Sequence, residues 1–189
     1  MNSALGNMKV RALVLLLATA PYWAAAAEDA CRAQLPASLV LALSHDFATA
    51  RLPLVSDNLE EDIKFNKSQG GSGCLGVGSG DFDGNGEKDF AVGLTPPNGP
   101  PVVVVALANK GAWTLHPINS WVDHRNRLYV DVAPPGRVER TPAAEGPLRP
   151  GERKSMVCPH EGVVVGATES TGIVYCLIKN KWFYVWVSD

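Results

Sequence analysis

Residues 80–92 read GDFDGNGEKDFAV. Side-chain oxygens stand at Asp81, Asp83, Asn85 and Asp89, with Glu87 between the last two. Alternate residues of a short loop converge on one point when glycine lets the chain curl. Gly84 and Gly86 allow that curl because glycine reaches positive φ without steric cost. Asp81, Asp83, Asn85 and the backbone carbonyl of Glu87 would begin a coordination shell, and Asp89 would close it. Hard oxygen donors favour Ca²⁺ over softer metals. Without a cation, three carboxylates held this close repel one another. Glycosidase carboxylates face each other across a cleft at a fixed separation. Here the acids are crowded into one loop, which points away from catalysis.

The loop is not an EF-hand. With Asp81 as the first position, the twelfth is Val92 rather than a bidentate Glu, and the following DFAVGL is strand-like. No HExxH, GxSxG or paired-cysteine zinc spacing occurs, and His45, His116, His124 and His160 are scattered. Cys158-Pro159-His160 has the look of a thiol–imidazole pair, but four cysteines in an exported chain are better read as two disulfides.

The elements that must hold the loop are mostly strands. CLGVGSG (74–80) and KDFAVGL (88–94) flank it, VVVVALA (102–108) suits a buried strand, and WTLHPI (113–118) follows a turn. Such short connections make neighbours antiparallel. RLYVDV (127–132), GVVVGAT (162–168), GIVYCLI (172–178) and WFYVWV (182–187) add four more, the last three forming a C-terminal meander within 158–189. Trp182 and Trp186 lie an even number apart and share a strand face, where core packing is their default role. Residues 134–153 are rich in Pro, Gly and charge and read as a long surface loop. Leu35, Leu39, Leu43 and Phe47 recur every fourth residue, one face of a helix over 34–50, with Pro36 suited to its first turn. Residues 62–66 allow a short strand. The fold class is mainly β with one N-terminal helix: antiparallel sheets, a single propeller-blade-like unit and a C-terminal meander.

GDFDGNGEKDFAV resembles the FG-GAP (VCBS-type) repeat, a four-stranded β-propeller blade whose calcium loop runs D-x-D-x-D/N-G-x-x-D. Asp81, Asp83, Asn85, the backbone of Glu87 and Asp89 fall on its matching positions, and the resemblance covers about residues 74–118. It implies a structural Ca²⁺. Propellers need at least four blades, and no second D-x-D-x-N-G pattern occurs. A lone blade must bury its faces under other elements, here the N-terminal helix and the C-terminal meander.

Lys9 and Arg11 precede the apolar run ALVLLLATA (12–20), and small residues follow in AAAAED (24–29). This pattern describes a cleavable signal peptide over 1–27; the run is too short to span a bilayer. Cleavage after Ala27 leaves one β-rich domain over 28–189 and takes the formal charge from −2 to −4. No basic stripe marks a nucleic-acid partner. The mature chain is expected in the periplasm or outside the cell, without a stable membrane span.

Cys31, Cys74, Cys158 and Cys176 allow three pairings, among which sequence alone does not choose. We favour Cys31–Cys74, tying the N-terminal helix to the sheet, and Cys158–Cys176, joining neighbouring strands of the meander.

PINSWVDHRNR (117–127) places a Trp and two Arg, the side chains that dominate interface hot spots, on a connection. The overall plan is similar to that of periplasmic immunity proteins that neutralise type VI secreted peptidoglycan amidases. That similarity implies a loop plugging a partner's cleft, with Ser120, Trp121 and His124 as candidates. The function expected is that of an exported, non-catalytic inhibitor of another exported protein, a cell-wall hydrolase or similar. The alternative is a calcium-stabilised surface module for adhesion or glycan binding. A hydrolase is the weakest reading.

Overall fold

The computed structural model describes residues 28–120, 126–144 and 146–187. Residues 1–27, expected from the sequence to be a signal peptide, and residues Trp121 and His124 lie outside the described residues.

Two helices come first, α1 (Ala37–Asp46) and α2 (Glu60–Ser68). The strands β1 (Val77–Gly80), β2 (Asp89–Leu94), β3 (Val102–Asn109) and β4 (Ala112–Ser120) form one antiparallel sheet in chain order. β5 (Leu128–Ala133) belongs to a second sheet with β8 (Gly162–Ala167), β9 (Thr171–Ile178) and β10 (Lys181–Trp186), in the order β10-β9-β8-β5. Between them in sequence, β6 (Gly136–Glu139) and β7 (Ser155–Cys158) pair as a separate ribbon.

The molecule is built as four layers, and strand periodicity decides which residue meets which neighbour. On one face of the first sheet Phe90, Val92, Leu94, Val104 and Ala106 pack under Leu35, Leu39 and Leu43. On the other face Ala91, Val103, Val105 and Leu107 meet Val130, Val163, Val165 and Ile173 of the second sheet. The VVVVALA run is therefore apolar throughout because both of its faces are covered. The far side of the second sheet, through Val174, Cys176 and Val185, packs on Met156 and Cys158 of the ribbon. Each fully buried Val contributes about 1.5–3 kcal/mol. The Val130 N–H donates to the Leu75 carbonyl (2.7 Å), tying β5 to the segment that leads into β1. Trp182 and Trp186 pack against the inter-sheet core.

Several expectations need correction. Residues 62–66 are helical. Glu60, Glu61 and Asp62 occupy the first turn of α2 and Lys67 the last, matching the helix dipole at both ends, and Glu60 pairs with Lys64 at 2.7 Å. There are thus two helices, not one. Pro36 is the N-cap of α1 rather than part of its first turn. The 134–153 stretch is not all loop: it contributes β6, and Glu152 within it is buried.

The disulfides are Cys31–Cys74 and Cys158–Cys176. The second does not join neighbouring strands. It fastens β7 of the ribbon across to β9 of the second sheet, between layers. In a chain-entropy picture each is worth about 2–4 kcal/mol.

Candidate metal centre

The acidic loop connects β1 to β2. It sits where the first sheet, the β3–β4 turn and the β7–β8 connection come together. Its chain is fixed by side chains accepting its own N–H groups. Asp81 accepts from Gly84 (2.8 Å) and Gly86 (3.0 Å), Asp83 from Asn85 (3.0 Å), and Asn85 Oδ1 from Glu87 (2.6 Å). Phe82 turns inward and is fully buried in the core between the sheets.

Asp89 is the pivot. Its side chain has no exposure, and both oxygens accept backbone N–H groups: Oδ2 from Phe82 (2.8 Å) and Oδ1 from Ala108 (2.7 Å). One carboxylate thus ties the loop's start to the end of β3. Asn85 Nδ2 donates to the Ala108 carbonyl at 2.7 Å, a second stitch to the same residue. The third comes from Glu87, whose carboxylate accepts the Lys110 N–H (3.0 and 3.1 Å). Lys110 (φ 51°) and Gly111 (φ 84°) form the tight turn between β3 and β4. The Glu87 side chain is thus occupied at that turn, which leaves its backbone carbonyl as the donor the sequence pattern asks for.

The opposite wall comes from far along the chain. Glu161 Oε2 accepts the Asp81 N–H at 2.7 Å. His160 lies so close over Gly84 (φ 76°) that a Cβ there would overlap its ring. Nothing in the local pattern of 80–92 points to Glu161, His160 or Ala108. Their signal is topological, because strand order and the Cys158–Cys176 bridge bring them to the loop. Cys158 itself is disulfide-bonded, so no thiol–imidazole pair with His160 exists.

Asp81, Asp83 and Asp89 each offer one oxygen such that all three lie within 4.8 Å of one another. Ca²⁺–oxygen bonds are about 2.3–2.6 Å long, so oxygens on opposite sides of one ion stand roughly 4.6–5.2 Å apart. The three oxygens thus lie at about the spacing that one Ca²⁺ requires. A carboxylate has about four lone-pair sites, so those accepting two N–H bonds keep capacity for a cation. The donor set is all oxygen and strongly negative, and it fits Ca²⁺. Among the described residues no Lys, Arg or His forms an ion pair with these three acids. Burial pushes the Asp89 carboxyl above the usual aspartate range. The Ala108 and Phe82 N–H groups pull it down, and the charges of Asp83 and Asp81 add to the rise. A bound cation would reverse that.

Of the partner-surface candidates, Ser120 is the last residue of β4, paired with Val102; Trp121 and His124 lie outside the described residues. No family model, curated protein or solved structure matches this chain.

Proposed function

We propose that this chain is an exported, non-catalytic protein-binding domain whose β1–β2 loop holds a structural Ca²⁺, and that it acts as an immunity-type inhibitor of a secreted hydrolase. The observation that carries the reading is the use made of the loop acids. Asp81, Asp83, Asn85, Glu87 and Asp89 all accept backbone N–H groups, and Asp89 is sealed from solvent. Acids used in this way shape a loop rather than face a substrate. The meander order β1-β2-β3-β4 supports the blade-like resemblance, with α1 and the second sheet as its covers. Two disulfides fit an oxidising compartment outside the cytoplasm. Among the described residues no helix is long and apolar enough to cross a membrane.

In this reading Ca²⁺ neutralises the loop acids and rigidifies the edge of the first sheet, while a surface elsewhere engages the partner. The Ser120–His124 connection remains the loop assigned to the partner's cleft. The test is enzymatic. A secreted hydrolase encoded beside this chain is assayed with and without equimolar protein. The reading requires a stable complex and loss of hydrolysis; full hydrolysis with no complex overturns it.

A further inference from the structure

Helix α2 is inverted relative to an ordinary surface helix. Its one buried residue is Asp62, while Phe65 stands 68% exposed. A buried acid and an exposed aromatic are the informative exceptions to burial by polarity. Asp62 is explained: it accepts the Thr168 hydroxyl at 2.6 Å and pairs with Arg127, which also reaches Glu169. Phe65 is not explained by the core. It borders a groove of about 660 Å³ between α2, β5 and the β8–β9 turn. Leu75 and Tyr129 share that lining.

The rim of the groove is acidic. Glu61 and Asp131 line it, both exposed, and neither forms an ion pair among the described residues. Among the described residues Asp131 accepts only the adjacent Val132 N–H. Glu169 adds a third carboxylate, shared with Arg127. An aromatic side chain beside exposed carboxylates suits a guanidinium or ammonium on an aliphatic stem. The stem packs on the ring, the cation meets the ring face and the carboxylates take its N–H groups.

We propose that this groove receives a basic segment of the partner protein, one presenting Arg or Lys next to an apolar residue. Charge complementarity selects that occupant. A second copy of this mildly acidic chain would bring like charge to the rim. The proposal deepens the protein-binding reading and rests on it. It adds a contact on α2 and β5 to the one assigned to the β4–β5 connection.

The test uses the intact disulfide-bonded chain and a short peptide alternating leucine and arginine, followed by fluorescence anisotropy. A leucine–glutamate peptide is the control. Binding of the basic peptide is expected to weaken roughly tenfold in Phe65→Ala, and similarly in the Glu61→Gln, Asp131→Asn double variant. It should also weaken as salt rises. These side chains are exposed, so the variants should keep the parent thermal midpoint. No binding of the basic peptide, equal binding of both peptides, or variants that bind like the parent would overturn the proposal. So would dimerisation that depends on Phe65. The hydrolase assay is independent: inhibition that survives Phe65→Ala removes the groove and leaves the inhibitor reading, whereas peptide binding without inhibition does the reverse.

Discussion

Glu152 and Asp89 are both buried carboxylates, and the fold treats them differently. Glu152 has its own cation: Arg140 Nε lies 2.8 Å from Oε1, and the Arg149 N–H donates to Oε2 at 2.9 Å. Asp62 follows the same rule through Arg127. Among the described residues Asp89 accepts only backbone N–H groups, and Asp81 and Asp83 stand beside it without an ion pair. An isolated buried carboxylate is costly unless paired or bound to a metal. The difference teaches that this chain supplies counter-charges internally at the ribbon and at α2 and, among the described residues, pairs none with the acids of the β1–β2 loop, where the proposed Ca²⁺ would take that role.

The largest effect expected follows from Asp89→Ala. It strands the Phe82 and Ala108 N–H groups, at about 1–3 kcal/mol each, so roughly 4 kcal/mol is lost. Asp89→Asn keeps an acceptor oxygen and should cost less, but it should abolish any stabilisation by Ca²⁺. Urea unfolding of both variants, with Ca²⁺ and with chelator, checks this. Glu152→Ala comes next. It removes an ion-pair partner of Arg140, a side chain that is itself largely buried, for a loss of about 3 kcal/mol. That loss should be the same with and without Ca²⁺. A calcium-dependent loss at Glu152 would break the comparison.

Ca²⁺ itself is the third lever. A site with Kd of about 10⁻⁴–10⁻³ M stabilises by about 1.4–2.7 kcal/mol at about 10 mM Ca²⁺. Thermal midpoints with Ca²⁺, with Mg²⁺ and with chelator measure it. The smallest effect is the pH dependence. The Asp89 carboxyl is raised in the folded state, so the native chain holds a proton that the unfolded chain has released. In chelator, stability should therefore fall as pH rises from the ordinary aspartate value, about 3.9, up through the raised one. In saturating Ca²⁺ that fall should disappear, because the cation favours the ionised form.

The strands of the two sheets were legible because β-branched runs such as VVVVALA and GVVVGAT leave few alternatives, and α1 because Leu35, Leu39 and Leu43 repeat every fourth residue. Helix α2 was not, since EEDIKFNKS buries an acid and exposes its Phe, so no apolar stripe marks it. β6 was hidden in a Pro- and Gly-rich stretch because its partner β7 lies past a long excursion. At the loop, the acids could be read from their spacing, and their supports could not. Glu161 meets Asp81 across 80 residues, and Ala108 meets Asp89 across 19. Those contacts depend on which sheet stacks on which, and no local pattern encodes that.

The central claim is that the β1–β2 loop is completed by a cation. Isothermal titration of chelator-treated protein with Ca²⁺ tests it most directly. The account predicts one site with Kd of about 10⁻⁴–10⁻³ M, lost in the Asp81→Asn, Asp83→Asn double variant and unchanged in Glu152→Gln. No heat at millimolar Ca²⁺, or equal heat in the double variant, would contradict it.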